Sequence, residues 1–475
     1  MTTSLPRTTP SAQGVDADGI HAFLDEMDRA DAIELHSLMV LRHGAVVAEG
    51  WWAPYTADAP HLLYSLSKSF TSTAAGIAAG EGLLDLDRTV LSYFPELDAD
   101  ITDERSRRML VRHIASMASG HTSETLDRAV AADRRNPIRG FLLTPPEEEP
   151  GTVFAYNQPC TFTLGAIVER QTGLSLTEYL RPRLFDPIGI GEVGWQHVAG
   201  HDMAFSGLHA PTEAIARLGQ LYLQRGRWGD RQLVPEAWVD AATSIQVENP
   251  NEPNPDWSRG YGFQFWMSRH GFRGDGAFGQ FCLVLPEQDA VIVTTAQTLD
   301  MQGILDAVWR HLLPALGAGA AGSPAVASES RLVERLASLA LEPLGATGVP
   351  DGAASPHPAT WHPADGGIAD QPTLTGATLR EDADDWALEL HEGDVVHTAR
   401  LGLDGRWTTS VEGVPMAAAS TPLPDGGLHV EVIFLETPHR LVLDLPGDTA
   451  AGFGARWLTP PLRAGSLSDL RMPRP

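Results

Sequence analysis

The sequence predicts an α/β chain of the α+β kind. An antiparallel sheet is flanked by helices and carries a helical subdomain, and a smaller antiparallel β-rich domain follows. Three observations predict this. Strand-like runs stand at both ends of the first 316 residues, with helical patterns between them. The stretch "GAGAAGSPAVASESR", 317–331, is built of small residues and has linker chemistry. Beyond it, alternating apolar runs are broken by Asp-Gly and Pro. The expected division is therefore 1–316, a flexible linker over 317–331, and a β-rich accessory domain over 332–475.

The elements follow in order. "SLMVLRHGAVVAEGWW" reads as two strands joined at His43-Gly44. Residues 67 to 80 read as a helix rich in Ala, Ser and Thr that ends near Gly80. "TFTLGAIVERQTG" places Leu164, Ile167 and Val168 on one helical face and stops at Gly173. "PTEAIARLGQLYLQRG" is a second amphipathic helix, with Thr212 expected as its cap. "FCLVLPEQDAVIVTTA" reads as two strands around Pro286–Asp289. After the helix of "SRLVERLASLALEPL", the segments "WALELHEG", "VVHTARLGLDGRWTTSVE" and "LHVEVIFLETPHRLVLDL" read as strands and hairpins.

The chain has 475 residues, 43% of them hydrophobic and 20% charged, as expected of a globular protein of two domains. Its net charge of −27 repels phosphates and anionic lipid heads, so neither nucleic acid nor membrane is expected as a partner. No basic segment followed by an apolar run opens the chain, and the two cysteines, Cys160 and Cys282, suit a reducing compartment. The expectation is a cytoplasmic protein. Nothing in the sequence sets the oligomeric state.

Lys68 is the only lysine; the other 33 of the 34 basic residues are arginines. It lies three positions after Ser65, in "YSLSKSF". On a helix, residues at that spacing share a face, about 5–6 Å apart at Cβ. A serine hydroxyl is a poor nucleophile until a base takes its proton. Lysine can be that base when burial lowers its pKa, and arginine cannot. A chain that uses Arg at every other basic position has kept Lys where a removable proton matters.

The surrounding "YSLSKSFTSTAAGIAAGEGLLDLDRTVLSYFPE" resembles the active-site helix of the serine β-lactamase and penicillin-binding-protein superfamily, and most of all its class C β-lactamase-related esterases, peptidases and amide hydrolases. "VRHIASMASGH", 111–121, and "FAYNQPCTFTLGAIVERQTGLSLTEYLRPRLFDPIGI" resemble segments that follow in that family, in the right order. The resemblance covers most of residues 15–315 and implies a β-lactamase-like domain. The β-rich tail is similar in placement to the lipocalin-like domains that some relatives carry.

The resemblance also implies roles. Ser65 would form an acyl-enzyme, Lys68 would be its base, and Tyr156 in "GTVFAYNQ" would relay protons. The family's amide two positions after the tyrosine falls on Gln158 here, with Asn157 between. The third motif falls in "FRGDGAFGQF", 272–281. There the N–H groups of Ala277 and Ser65 would form an oxyanion hole, and Arg273, Asp275, Gly276 and Phe278 would lie beside the substrate. The usual Lys or His position falls on Gly274, or on Arg273 if the register shifts by one. A strand without that cation, and with Asp275, is poorly built to grip a β-lactam carboxylate.

No Gly-x-Ser-x-Gly elbow, phosphate loop or His-Glu-x-x-His helix is present. The i,i+4 pair His197 and His201 lacks the carboxylate company of a zinc site, so no metal and no cofactor is expected. The expected activity is hydrolysis of a small-molecule or short-peptide ester or amide. Acyl transfer from the same acyl-enzyme is the alternative, and a non-catalytic binding protein on this fold is the remaining one.

Overall fold

The computed structural model describes residues 4–317, 323–344, 357–364, 367–382, 385–463 and 465–474. The first strand, β1 (Ile33–Arg42), and the second, β2 (Ala45–Trp51), form a hairpin. His43 and Gly44 join them with φ of 50° and 76°, the left-handed pair that a type I′ turn requires. A short strand, β3 (Trp266–Met267), is followed by β4 (Phe272–Gly276), β5 (Gln280–Leu285) and β6 (Ala290–Thr298). All six pair antiparallel in the order β3-β4-β5-β6-β1-β2. The chain's two ends of this region thus meet at the centre of one sheet, where β6 lies against β1.

Both faces of that sheet are covered, so β6 is buried along its whole length instead of alternating. On one face lie α1 (Ala17–Asp28) and the helix that follows β6 (Met301–Ala307), around Phe23, Leu38, Ile292 and Leu305. On the other lie α2 (Ser67–Gly80), α3 (Gln158–Thr172) and α4 (Thr212–Leu223), with the smaller helices of the 84–200 region, around Phe70, Leu164, Ile215 and Val293. Thr212 opens α4 but does not cap it. Its hydroxyl donates to Ser37 Oγ on β1 at 2.8 Å, tying helix to sheet.

Helix α2 is buried from Ser67 to Ala78, which explains its composition. Small side chains let neighbours come close: a Cβ at Gly76 would stand 2.5 Å from the Trp238 ring. The hydroxyls anchor the loops around it. Ser69 donates to Gln264 O, Thr71 to Ala204 O and Ser72 to Phe263 O, at 2.7–3.1 Å.

The expected flexible linker is corrected over its second part. Residues Ser323–Ala337 form a helix, α5, that packs on α1 with Leu332 buried. Ala, Ser and Glu are compatible with helix, and Leu332 supplies a docking contact. Residues 318–322 lie outside the described residues.

The β-rich region forms a nine-stranded antiparallel sheet with one short parallel contact, curled into a half-barrel. Its first and last strands come close enough for a bridge between Pro363 and Phe453. Leu388, Leu390, Val430, Val432, Leu441 and Leu443 fill it. Its outer face is not free. Ala417, Ile433 and Leu435 join the α1-side core of the first region. Arg440, 1% exposed, bridges Glu431 of its own sheet at 2.9 Å and Glu34 of β1 at 2.5 Å. Tyr55 Oη donates to Thr437 O at 2.9 Å, and Leu62 N donates to Glu436 O at 2.8 Å. No helix among the described residues is long and apolar enough to cross a membrane.

Candidate active site

Ser65 lies in a single 3₁₀ turn, Tyr64–Leu66, that runs directly into α2. Tyr64 before it has φ of 48°, an uncommon conformation for a residue with a side chain. Two contacts hold it there. Its ring packs edge-on against Phe278, and its hydroxyl meets His439 Nε2 of the half-barrel at 2.5 Å. His439 Nδ1 lies 3.0 Å from Thr459 O. That carbonyl can only accept, so Nδ1 carries the proton and Nε2 accepts from Tyr64. Burial pushes the imidazole down to about 3, so it stays neutral.

Lys68, one turn along α2, is 1% exposed. Its Nζ reaches Ser65 Oγ at 3.0 Å, Gln158 Oε1 at 2.7 Å and Phe205 O at 2.8 Å. Loss of hydration pulls the ammonium down to about 7, against the opposing pull of Glu124 and Asp275. No carboxylate among the described residues touches it. Its contacts are neutral acceptors that suit a neutral amine as well as a cation.

Tyr156 lies near enough to Ser65 for the serine hydroxyl to act on its phenol. Its ring stacks on Trp266 at 5.3 Å, and Lys68 Nζ lies 4.7 Å from its centroid. The apolar surroundings hold the phenol well above the ordinary tyrosine range, so it keeps its proton at neutral pH.

The amide after the tyrosine is resolved residue by residue. Gln158 points to Lys68. Asn157, expected beside the substrate, is buried and turned away, and its Oδ1 accepts from both N and Oγ1 of Thr125. Asn157 precedes α3 in extended conformation and Gln158 begins it, so one step of chain swings the side chain to the other side. Glu124 accepts from the N–H groups of Thr125, Leu126 and Gln158, which fixes a carboxylate close enough to act on Lys68.

Strand β4 runs against the Ser65 turn. A Cβ at Gly276 would lie 2.1 Å from Leu63 O, and one at Gly274 would lie 2.9 Å from Ser69 Oγ. Gly276 is demanded by the backbone of the turn, while a side chain at 274 would have to displace the Ser69 hydroxyl. Arg273 does not take the place of such a side chain, contrary to the expectation of a substrate contact. It is fully buried, donating to Asp275 Oδ2 at 2.9 Å and to Ser268 Oγ at 2.6 Å, with its guanidinium 4.4 Å from the Trp257 ring. Asp275 is buried with it, and burial pushes its carboxyl up while Arg273 opposes. Phe278, also expected at the substrate, has φ of 69° and packs with Leu62 and Tyr64 beneath the turn. Gln280 Nε2 donates to Ala277 O at 2.9 Å and to Ala296 O at 2.8 Å, which holds the segment after Gly276 in place.

A cleft of about 590 Å³ opens onto Ser65, Gln158 and Phe205. Residues in 461–473 of the half-barrel form its far wall, Leu462, Arg463 and Leu470 among them. Sequence reasoning allowed that the C-terminal β-rich region could close or shape the cleft, but identified none of these wall residues and not Phe205. A backbone carbonyl leaves no signature in its residue type, and a wall from a distant domain has no local pattern. His197 and His201 pair with Asp202 at 3.0 Å and Glu169 at 2.5 Å on a small hairpin.

Comparisons with known proteins give the family and the fold. The 6-aminohexanoate-dimer hydrolase of Paenarthrobacter ureafaciens is 27% identical over 311 residues, covering 60% of this chain and 78% of its own. Lovastatin esterase of Penicillium rubens is 30% identical over 172 residues, 32% of this chain and 43% of its own. The solved structure of EstCE1, a hydrolase with promiscuous acyltransferase activity, superposes with a TM-score of 0.51 at 17% identity, covering 62% of this chain and 99% of its own. The Beta-lactamase family model matches residues 22–315. The chain belongs to the β-lactamase family, among the serine hydrolases that share the β-lactamase and penicillin-binding-protein fold.

Proposed function

We propose that the protein hydrolyses an ester or amide through an acyl-enzyme on Ser65. The observation that carries this reading is the triple contact of a buried, single lysine with Ser65, Gln158 and Phe205. With its pKa brought to about 7, Lys68 is half neutral at neutral pH and takes the proton of the Ser65 hydroxyl. Ser65 Oγ bonds to the substrate carbonyl carbon, and the carbonyl oxygen becomes an oxyanion held by the N–H groups of Ser65 and Ala277. Tyr156, still protonated, gives its proton to the departing alcohol or amine and regains the one that Lys68, 4.7 Å from its ring, took from Ser65. Water then attacks the acyl-enzyme, Lys68 again accepting a proton, and Ser65 is released. Gln158 orients the lysine.

Acyl transfer differs only in the second attack, where an alcohol or amine replaces water. The similarity to a hydrolase with promiscuous acyltransferase activity supports keeping it as a second reading. The test is a panel of p-nitrophenyl esters and anilides, wild type against Ser65→Ala, with and without added alcohols and amines. The free acid as main product supports hydrolysis. New esters or amides at the expense of acid support transfer. Equal turnover by Ser65→Ala overturns both.

A further inference from the structure

Two basic side chains of different character stand at or behind the cleft. Lys68 lies buried behind Ser65, engaged by three acceptors and half neutral at neutral pH. Arg463, the only Lys or Arg on the described walls of the cleft, comes from the half-barrel and is exposed to solvent. Its guanidinium lies 5.4 Å from the ring of Phe205, the residue whose carbonyl takes the Lys68 hydrogen bond. No carboxylate pairs with Arg463 among the described residues, although the chain carries 61 acidic side chains. Asp469, on the same wall, lies over Gly465, with Oδ2 2.9 Å from where a Cβ there would stand. Strand β4 offers no substitute, because Arg273 is buried on Asp275 and position 274 is a glycine.

A guanidinium within about 6 Å of an aromatic face is attracted to it electrostatically and keeps N–H groups for hydrogen bonds to a carboxylate. In a protein of net charge −27, an anionic substrate is repelled at long range and needs such a local anchor. On the reading of Ser65 as nucleophile, we propose that Arg463 is a specificity-determining residue, supplied by the C-terminal domain, that binds the carboxylate of an anionic ester or amide substrate. The half-barrel thereby selects substrates for chemistry that the first region performs.

The test uses the full chain and two matched ester pairs. Mono-p-nitrophenyl adipate against p-nitrophenyl hexanoate places the charge on the acyl side. 4-Acetoxybenzoate against phenyl acetate places it on the leaving side. Arg463→Ala is expected to lower kcat/KM for the anionic member of at least one pair by about tenfold or more, mainly through KM, with its neutral partner changed by less than about threefold. Arg463→Glu should lower it further, and Arg463→Lys should keep part of it. Neutral-ester activity reports that each variant is folded. If anionic and neutral members change together in both pairs, or none changes, the inference is overturned. Neutral turnover that survives Ser65→Ala instead overturns the serine reading. Should no ester be turned over, slowing of fluorophosphonate labelling of Ser65 by adipate is the readout, and equal slowing in wild type and Arg463→Ala overturns the inference.

Discussion

Lys68→Met keeps the length and apolar stem of the side chain and removes the base. Burial lowers the lysine from its ordinary value of 10.5 to about 7. A difference of about 3.5 units corresponds to about 5 kcal/mol, at about 1.4 kcal/mol per unit. The sign follows from proton binding. Between pH 7 and 10.5 the unfolded chain holds the lysine proton and the folded one has lost it, so stability rises with pH across that window. Below about 7 the full cost of the buried charge is present. Methionine removes this cost but leaves the Phe205 carbonyl without a donor, a loss of about 1–3 kcal/mol for a buried acceptor. Water can reach Ser65 Oγ and Gln158 Oε1 from the cleft. The variant should therefore be more stable than wild type by about 2–4 kcal/mol at pH 6, and the gain should vanish near pH 10. Urea unfolding at both pH values measures it. In parallel, kcat/KM should fall about 10²–10⁴-fold. The wild-type profile should rise tenfold per pH unit up to about 7, and that limb should be absent in the variant. Lys68→Arg should be as inactive as Lys68→Met without the gain in stability, since arginine keeps its charge. An active Arg variant, or a Met variant less stable at pH 6 than at pH 10 relative to wild type, would refute the reasoning.

Gly276→Ala places a Cβ 2.1 Å from Leu63 O and must push β4 away from the nucleophile turn, so kcat/KM should fall at least about 10²-fold, read by steady-state kinetics. Tyr156→Phe should impair anilides about tenfold or more beyond p-nitrophenyl esters, because an amine leaves only when protonated and p-nitrophenolate departs as an anion. Arg440→Ala leaves Glu431 buried without its cation and Glu34 half-buried with only His36, and chemical denaturation should show a loss of about 3 kcal/mol.

The closeness of Ser65 and Lys68 was legible because helix geometry makes a three-residue spacing a statement about space. The His43-Gly44 turn was legible because few residues adopt left-handed conformation, and glycine is the one that does so freely. What the sequence concealed depended on neighbours distant in the chain. Arg273 reads as a free cation until Asp275, Ser268 and Trp257 close around it. Asn157 and Gln158 are adjacent amides, and only the start of α3 between them decides which meets Lys68. The segment 323–331 reads as spacer because its residues are small, yet it is helical and leads into the docked Leu332. Arg463 lies 398 positions beyond Ser65, and no local pattern links the two.

The most direct measurement of the central claim is covalent labelling. The protein is treated with a fluorophosphonate, its intact mass is recorded, and the modified peptide is mapped, for wild type, Ser65→Ala and Lys68→Met. The expected result is one adduct per chain on Ser65, absent in Ser65→Ala and formed far more slowly in Lys68→Met. An adduct on another residue, or ester turnover that persists undiminished in Ser65→Ala, would contradict Ser65 as the nucleophile.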